Sequence, residues 1–238
     1  MDNLFIIVPA YNESVNIGSF IQDWYPVIEN HNVEGNSKLV IINDGSKDNT
    51  YEIIKSYAET RPLLVPLTKQ NSGHGSTLLF GYRYALANHA DYIFQTDSDG
   101  QTNPREFQRF WDIRQKYDAI IGNRLTRQDG LFRKFTQQVL LLILRITFGV
   151  RIPDSNAPFR LMKAGLIEKY INKMPKDFNL PNVMLTTYFS YFNEKVKFVE
   201  ISFKTRQGGK NSINFKRIVK IGWYALGDFI ELRKNINE

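Results

Sequence analysis

The residues with the clearest chemical potential are two aspartates in the segment Thr96-Asp97-Ser98-Asp99-Gly100-Gln101. They follow an apolar run, residues 92–94, that is typical of a buried strand. If the strand continues, alternation places Asp97 and Asp99 on one side, and Gly100 then permits a sharp turn. Mg2+ and Mn2+ prefer oxygen ligands and typically bind one or two carboxylates together with substrate phosphates. We therefore predict a site for Mg2+ or Mn2+ and a diphosphate, with Gln101 as a further ligand.

A solvated turn is the alternative interpretation, because Asp, Ser and Gly are also the residues of ordinary turns. The elements around the segment decide between the two. Short apolar runs alternate with amphipathic stretches, which predicts strands at residues 4–8, 39–42, 63–67 and 92–96, with a helix after each of the first three. This order predicts parallel strands with right-handed crossovers. Polar segments follow the first, second and fourth strands, at the edge where open α/β sheets bind ligands.

Composition limits the class of protein. The 238 residues are 42% hydrophobic and 23% charged, which is typical of a globular domain, and we expect one domain over 1–238. The net charge of +7 favours an acidic partner, which could be a nucleic acid, an anionic membrane or a phosphorylated substrate. Without cysteine, disulfide and thiolate chemistry are excluded, and the chain is compatible with a reducing cytoplasm.

The C-terminal half contains a predicted long helix over residues 131–150, preceded by a strand at 119–121. Its apolar residues form two stripes, one around Val139, Leu142 and Ile146 and a second around Leu144 and Phe148. Basic residues flank the second stripe, which is typical of a helix in a lipid interface. Burial between the core and a neighbouring subunit is the alternative. A last helix near 215–232 also mixes basic and apolar residues.

Membrane contact, if it occurs, is expected to be peripheral. The longest aliphatic run, residues 139–144, is far shorter than the ~20 residues of a spanning helix, and the first residues do not resemble a secretion signal. We therefore expect a cytoplasmic location at the inner face of a membrane.

Four spaced motifs carry a family resemblance: Pro9-Ala10-Tyr11-Asn12-Glu13, Asn43-Asp44-Gly45-Ser46, Asn71-Ser72-Gly73 and Asp97-Ser98-Asp99-Gly100-Gln101. In this order they resemble the family 2 inverting glycosyltransferases with the GT-A fold. That resemblance implies an α/β protein with a Rossmann-like, mostly parallel sheet flanked by helices. Further motifs around Gly122-Asn123-Arg124, Arg133, Phe159-Arg160-Leu161 and Arg206 resemble the dolichyl- and polyprenyl-phosphate sugar transferases.

The resemblance also implies roles for individual residues. Residues 1–103 would form the donor half and residues 104–238 the acceptor half, with interfacial amphipathic helices. The donor, a UDP- or GDP-linked sugar, would contact residues of the first four motifs: Pro9, Tyr11, Glu13, Asp44, Gly73 and Asp97. Asp99 and Gln101 would hold the metal, and Arg124, Arg133 and Arg206 would bind the acceptor phosphate. The chain departs from the branch at Leu125, Gln137 and Asn211-Ser212, which leaves the acceptor open.

The chemistry of the acceptor separates two mechanisms. A sugar hydroxyl needs a general base, whereas a phosphate monoester, with a second pKa of about 6, is already anionic and needs cationic partners. We predict arginine contacts to phosphate from Arg124, Arg133, Arg160 and Arg206. Asp154 is the candidate base for a hydroxyl acceptor in polysaccharide or glycolipid synthesis, and together with Asp97 and Asp99 it completes the predicted catalytic set. Alternatively, Asp154 orders its own loop.

The leading hypothesis is a metal-dependent, inverting hexosyl transfer from a nucleotide sugar to a polyprenyl phosphate. A non-enzymatic nucleotide-sugar sensor is a second class of function. We do not expect nucleic-acid binding, because the basic residues lie beside apolar faces and no Gly-rich phosphate loop is present. The sequence leaves open a membrane-embedded partner subunit or a homo-oligomer.

Overall fold

The protein is built around one seven-stranded mixed sheet with the strand order β3-β2-β1-β4-β6-β5-β7. The computed structural model describes residues 2–32, 35–124, 131–204, 227, 229–234 and 236, with residues 131–135 described only as backbone. The strands are β1 Leu4–Ala10, β2 Lys38–Asn43, β3 Leu64–Thr68, β4 Tyr92–Gln95, β5 Ala119–Asn123, β6 Arg160–Lys163 and β7 Val196–Glu200.

Six of these strands run in one direction. β1 pairs in parallel with β2 and β4, β2 pairs in parallel with β3, and β5 pairs in parallel with β7. β6 lies antiparallel between β4 and β5. The predicted α/β class and mostly parallel sheet are confirmed. The antiparallel β6 was not predicted, because four residues between a loop and a helix carry too short a pattern to be identified from sequence.

Helices cover both faces of the sheet. The helices are α1 Ile17–Asn30, α2 Thr50–Ala58, α3 His74–Ala87, α4 Phe107–Trp111, α5 Leu131–Phe148, α6 Ala164–Ile171 and α7 Pro181–Tyr191. Side chains alternate along each strand, so β1 sends Ile6 and Val8 to one core with α1, α2 and α4. It sends Phe5 and Ile7 to a second core with α3, α5, α6 and α7.

Two local predictions are wrong. Ser14 is a suitable N-cap, and Val15, Ile17 and Phe20 are spaced as an apolar helical stripe, so the sequence predicts a helix from Ser14 with Val15 on its apolar stripe. The helix instead begins at Ile17, and Val15 is 78% exposed. The amides of Asn16 and Ile17 both donate to the Glu13 carbonyl, and residues 14–16 form a hydrogen-bonded turn that leads into the helix. β4 ends at Gln95, before the acidic residues, so strand alternation does not place Asp97 and Asp99.

Helix α5 presents its two apolar stripes differently from the prediction. Leu144 and Phe148, in the second stripe, are buried in the core. In the first stripe Val139, Leu142 and Ile146 are exposed. The stripe that we assigned to lipid is therefore the core-facing one, because basic residues beside a stripe do not show which stripe meets the sheet.

The part of the chain that the structure describes contains no helix with the length and apolarity needed to cross a bilayer. Most of the predicted last helix lies outside the described residues. Its described C-terminal part, residues 229–234, is helical, and Phe229 is buried against Phe148.

Close packing of α3 on the sheet yields a test of the fold. A Cβ on Gly81 would lie 2.5 Å from Ile7 Cγ2 and 2.9 Å from Ile42 Cδ1. We expect Gly81→Ala to lower the unfolding free energy by about 1–3 kcal/mol through overpacking. Urea denaturation, monitored by circular dichroism, measures this change in unfolding free energy.

The matched control is Gly165→Ala in α6, where an added Cβ meets no atom within 4 Å. This change should raise the unfolding free energy by up to about 1 kcal/mol, because alanine is the better helix former. Equal shifts in both variants would contradict the tight approach of α3 to the sheet.

Candidate active site

A buried carboxylate organises the loops after β2 and β3. Asp44 is 3% exposed and directly follows β2. Its Oδ1 accepts hydrogen bonds from Lys69 Nζ and from the Ser72 amide at 3.0 Å, and its Oδ2 accepts from the Gly73 amide at 2.9 Å. The Asn71 side chain also donates to the Asp44 carbonyl at 2.8 Å. Two of the predicted motifs are therefore joined through one side chain.

The loop after β1 is joined to the loop after β2. Asn12, with a left-handed φ of 54°, accepts from the Lys47 amide at 2.8 Å and donates its own amide to Ser46 Oγ at 3.0 Å. The Glu13 amide donates to Thr50 Oγ1 at 2.8 Å. The buried Glu13 carboxylate accepts a hydrogen bond from Asn16 Nδ2 at 2.7 Å. Glu13 thus contributes to the start of α1, and the neighbouring Tyr11 is 39% exposed.

Asp48 strengthens the same junction. Its carboxylate accepts from Thr50 and from the Ser14 amide. Burial raises the pKa of Asp48, but these hydrogen bonds outweigh burial and hold the pKa below its ordinary value. The carboxylate therefore stays ionised and continues to accept hydrogen bonds from both loops at neutral pH.

A tight turn after β4 carries the acidic motif. Gly100 has a φ of 74°, and the Gln101 amide donates to Asp99 Oδ1 at 3.1 Å. The predicted turn at Gly100 is confirmed, and it rather than strand alternation brings Asp99 and Gln101 together. Ser98 Oγ donates to the Pro9 carbonyl at 2.9 Å, which fixes the turn to the end of β1.

Gln101 also holds a distant segment. Its Nε2 donates to the Lys204 carbonyl at 2.8 Å, and the Lys204 amide donates to the Gln101 carbonyl at 2.9 Å. Because the amide nitrogen is committed to Lys204, the side-chain oxygen is the atom that remains for a cation. This pair also holds Lys204 beside the acidic turn.

Asp97 lies between the acidic turn and α3. Its Oδ1 is buried and has no hydrogen-bond partner among the described residues, while His74 Nε2 lies 3.8 Å away. His74 is the first residue of α3 and follows Gly73, whose φ is 91°. The third and fourth motifs therefore meet at this pair.

Arg124 and Asp154 form a buried pair. Arg124 Nε and Nη2 donate to the two Asp154 oxygens at 2.7 and 2.9 Å, and the Asp154 side chain is 1% exposed. Asp154 Oδ1 also accepts from the Asn156 amide at 3.1 Å, so the carboxylate orders its own loop. The guanidinium lies 5.1 Å from the ring centroid of Phe203. Among the contacts of the described residues, the Nη1 edge of Arg124 and part of Nη2 remain for another ligand.

The remaining predicted arginines have different outcomes. Arg160 is wholly buried and donates to the Ala157 and Asn182 carbonyls and to Thr186 Oγ1 at 2.7–3.3 Å, so the prediction that it contacts phosphate is wrong. Burial lowers the pKa of Arg160 to about 10. Arg206 lies outside the described residues. Arg133 lies on α5, and its side chain is outside the described part.

Two interactions were missed by the sequence analysis. Lys69, one residue past β3, pairs with Asp44, and its place at a carboxyl strand end beside the third motif was the available signal. Tyr82 on α3 donates to Gln95 Oε1 at 2.6 Å in the core, next to Asn182 of α7. Burial raises the pKa of Tyr82 far above its ordinary value. No local pattern marks such a pair, because its members come from different elements.

Few side chains of the described residues are placed to bind a metal ion. Among the described residues, no group of three or more acidic, histidine or cysteine side chains is arranged to hold a metal ion. Asp99 and the Gln101 oxygen are nonetheless hard ligands on one turn. This set fits Mg2+ or Mn2+ bound chiefly by substrate phosphates, which need few protein ligands.

Known relatives resemble the chain over most of its length. Undecaprenyl-phosphate 4-deoxy-4-formamido-L-arabinose transferase of Pectobacterium carotovorum is 21% identical over 222 residues, which are 92% of this chain and 65% of the relative. Dolichyl-phosphate beta-glucosyltransferase of Dictyostelium discoideum is 32% identical over 181 residues, which are 68% of this chain and 54% of the relative. The chain thus spans less than two thirds of the length of either relative.

A solved structure shares the fold. Glucosyl-3-phosphoglycerate synthase from Mycobacterium tuberculosis, in complex with Mn2+ and uridine-diphosphate-glucose, superposes with a TM-score of 0.71 at 14% identity, over 98% of this chain and 79% of that one. The family profile described as glycosyl transferase family 2 matches residues 5–173, which carry all four motifs of the donor half. The chain therefore belongs to glycosyl transferase family 2.

Proposed function

We propose that this chain transfers a hexose from a UDP- or GDP-linked donor to a polyprenyl phosphate, with inversion at the anomeric carbon. The observation that carries the proposal is the hydrogen-bonded junction of the Asp44 loop and the Asp97–Gln101 turn with the end of β1. Family membership supports glycosyl transfer, and both named relatives use a polyprenyl-type phosphate.

In this proposal the nucleotide-sugar donor binds at the carboxyl ends of β1, β2 and β4. Tyr11 is exposed there and offers a ring face to a nucleobase, beside Pro9. Asp44 keeps an acceptor position on Oδ2 for a base N–H, because only the Gly73 amide contacts that oxygen among the interactions described. Asp97 faces the ribose and sugar. Glu13 supports this wall by holding the start of α1.

Asp99 and Gln101 are the residues that would hold Mg2+ or Mn2+. The cation would stabilise the negative charge that develops on the leaving diphosphate. The protein would hold these two metal ligands rigidly, through the turn at Gly100 and through the hydrogen bond from Gln101 to the Lys204 carbonyl. The metal-bound neighbour with uridine-diphosphate-glucose supports a divalent ion in this fold.

The residues assigned to the acceptor favour a phosphate acceptor over a hydroxyl acceptor. A phosphate monoester attacks without a general base, since it is already anionic at neutral pH. Asp154, the candidate base, is buried and gives both oxygens to Arg124, which argues against proton abstraction by this carboxylate. Arg124, Arg133 and Arg206 are proposed to bind the acceptor phosphate, with Asp154 positioning Arg124.

The exposed stripe of α5 is the proposed contact with the membrane that carries the lipid. Val139, Leu142 and Ile146 are exposed, and Arg145 is exposed beside them. An apolar stripe with an adjacent basic side chain suits the interface of an anionic bilayer, as does the net charge of +7. We propose that the reaction occurs at the cytoplasmic face, where a membrane-embedded partner or a homo-oligomer is compatible with it.

Metal dependence is tested with Asp99→Asn. We expect the transfer of radiolabelled sugar from nucleotide donors into solvent-extractable lipid to fall by about 10²-fold or more, because the charge on the leaving group loses a stabilising ligand. A chelator should abolish wild-type transfer, and added Mn2+ should restore it. Asp23→Asn, on the exposed face of α1, is the control and should keep full activity. Full activity of Asp99→Asn in the presence of chelator would contradict the proposed metal site.

The identity of the nucleophile is tested with Asp154→Asn. We expect the unfolding free energy to fall by about 1–3 kcal/mol, because a buried guanidinium loses half of its partner, while the kcat of folded enzyme stays within about tenfold. Asp118→Asn, which weakens a more exposed pair with Lys163, should cost less than about 1 kcal/mol. A fully stable Asp154→Asn enzyme without turnover would instead indicate a general base and a hydroxyl acceptor.

Membrane contact is tested with Leu142→Glu and Ile146→Glu. Binding to vesicles of phosphatidylglycerol and phosphatidylcholine, measured by sedimentation, should weaken by about tenfold or more for the pair of changes, because two exposed apolar side chains that would enter the bilayer are replaced by charges that anionic lipid repels. Val15→Glu is the control, since Val15 is 78% exposed in the turn before α1, and α1 packs on the sheet face opposite to α5. Equal loss in all variants would show that charge alone is responsible.

A further inference from the structure

An aromatic ring lies against the face of the guanidinium assigned to the acceptor. Arg124 Cζ is 5.1 Å from the ring centroid of Phe203, which is within the range of a cation–π contact. Phe203 is partly buried, follows β7, and is not one of the predicted site residues. Its contact with Arg124 therefore adds a side chain to the candidate site.

The hydrogens of a guanidinium lie in its plane, so a ring on its face does not compete for them. Asp154 accepts from Nε of Arg124 and from one hydrogen of Nη2, at 2.7 and 2.9 Å. The hydrogens of Nη1 and the second hydrogen of Nη2 have no acceptor among the described residues. The buried side-chain atoms without a hydrogen-bond partner in that part of the chain belong to Gln95, Asp97 and Ser155, so Nη1 is accessible. The remaining edge suits two oxygens of one phosphate.

The segment 201–204, which carries the ring, is held on both sides of it. The Ser202 amide donates to the Glu106 carboxylate at 3.1 and 3.2 Å, and the Ser202 hydroxyl donates to the same carboxylate at 3.0 Å. On the other side, the Lys204 amide donates to the Gln101 carbonyl at 2.9 Å, and Gln101 Nε2 donates to the Lys204 carbonyl at 2.8 Å. The backbone under the ring is therefore fixed.

The backbone that carries Arg124 is joined to the same segment. The Ile201 amide donates to the Asn123 carbonyl at 3.1 Å. A Cβ on Gly122 would lie 2.6 Å from Ile201 Cδ1, so the glycine lets the end of β5 approach this side chain. The ring and the guanidinium thus extend from two backbone segments that are hydrogen-bonded to each other.

We propose that Phe203 is a positioning residue for the acceptor phosphate. Its ring attracts one face of the Arg124 guanidinium and sets the plane in which the remaining N–H groups meet a phosphate monoester. Asp154 fixes the opposite edge of the same group. An aliphatic side chain would fill the space but would not attract the cation, so the role requires an aromatic ring. This inference rests on the proposed function, because it requires a phosphate acceptor at Arg124.

The test compares Phe203→Leu, which keeps an apolar side chain without an aromatic face, with Phe203→Tyr, which keeps the face. Binding of farnesyl phosphate, a short polyprenyl phosphate, is measured by calorimetry. We expect Phe203→Leu to weaken it by about two- to thirtyfold, the range of a cation–π contact, and Phe203→Tyr to weaken it by less than about twofold. In the transfer assay, the KM for farnesyl phosphate should rise by the same factor, while the KM for the nucleotide sugar stays unchanged.

Three controls separate this role from a general structural one. Farnesol, which lacks the phosphate, should bind wild type and both variants alike in the same detergent. UDP and GDP with Mn2+ should also bind alike, because the ring contacts an arginine of the acceptor half. The matched variant is Tyr57→Leu, which removes a ring 4.7 Å from the Arg61 guanidinium near the end of α2 and should leave farnesyl phosphate binding unchanged.

A double-mutant cycle with Arg124→Gln assigns the effect to the pair. Without the guanidinium, the ring has no cation to position, so Phe203→Leu should weaken farnesyl phosphate binding by less than about twofold further. Two losses that simply multiply would show that Phe203 acts independently of Arg124, which overturns the inference.

The remaining outcomes also decide the question. Equal affinity of wild type and Phe203→Leu for farnesyl phosphate overturns the role of Phe203 and leaves the proposed function standing. A loss that tyrosine does not recover, or that extends equally to farnesol or to the nucleotides, overturns it as well. Wild type that binds a nucleotide with Mn2+ but no farnesyl phosphate contradicts the phosphate acceptor of the proposed function, and the role of Phe203 with it.

Discussion

A carboxylate removed from water must find hydrogen-bond donors, and this requirement governs the carboxyl edge of the sheet. Asp44 meets it with a lysine and two backbone amides, and Asp154 meets it with both arms of a guanidinium. Each of these carboxylates thereby fixes a loop. Asp97 differs, because its buried Oδ1 has no donor in the described protein. The satisfied carboxylates organise the site.

The same hydrogen bonds explain how a site can be assembled from loops that are far apart in sequence. Ser98 ties the acidic turn to β1, Asn12 ties the loop after β1 to that after β2, and Asp44 ties the latter to the start of α3. Loops on a parallel sheet need such ties, because their strands fix only where each loop starts. The result is a preorganised cleft, which glycosyl transfer requires for stabilising a charged leaving group.

Most of the parallel half could be predicted from sequence because its strands are short apolar runs followed by amphipathic helices, a pattern that local periodicity defines well. Failures occurred where a tertiary contact overrides local pattern. β6 is a strand only because it lies between β4 and β5. Val15 belongs to an apolar stripe by spacing, yet it lies in a turn before the helix and is exposed. On α5 both stripes are apolar, and only the position of the sheet decides which one is buried.

The sequence by itself determined the fold class, the family and the residues at the strand ends, since these follow from order, spacing and residue type. Tertiary structure decided the state of each polar group. Arg160 was expected to contact a phosphate, but it donates its hydrogen bonds to backbone carbonyls inside the core. Asp154 was a candidate base, but its carboxylate forms a buried ion pair with Arg124. The physical reason is that hydrogen bonds and burial join residues from separate elements, and the partner that a charged side chain finds is not encoded in its neighbours along the chain.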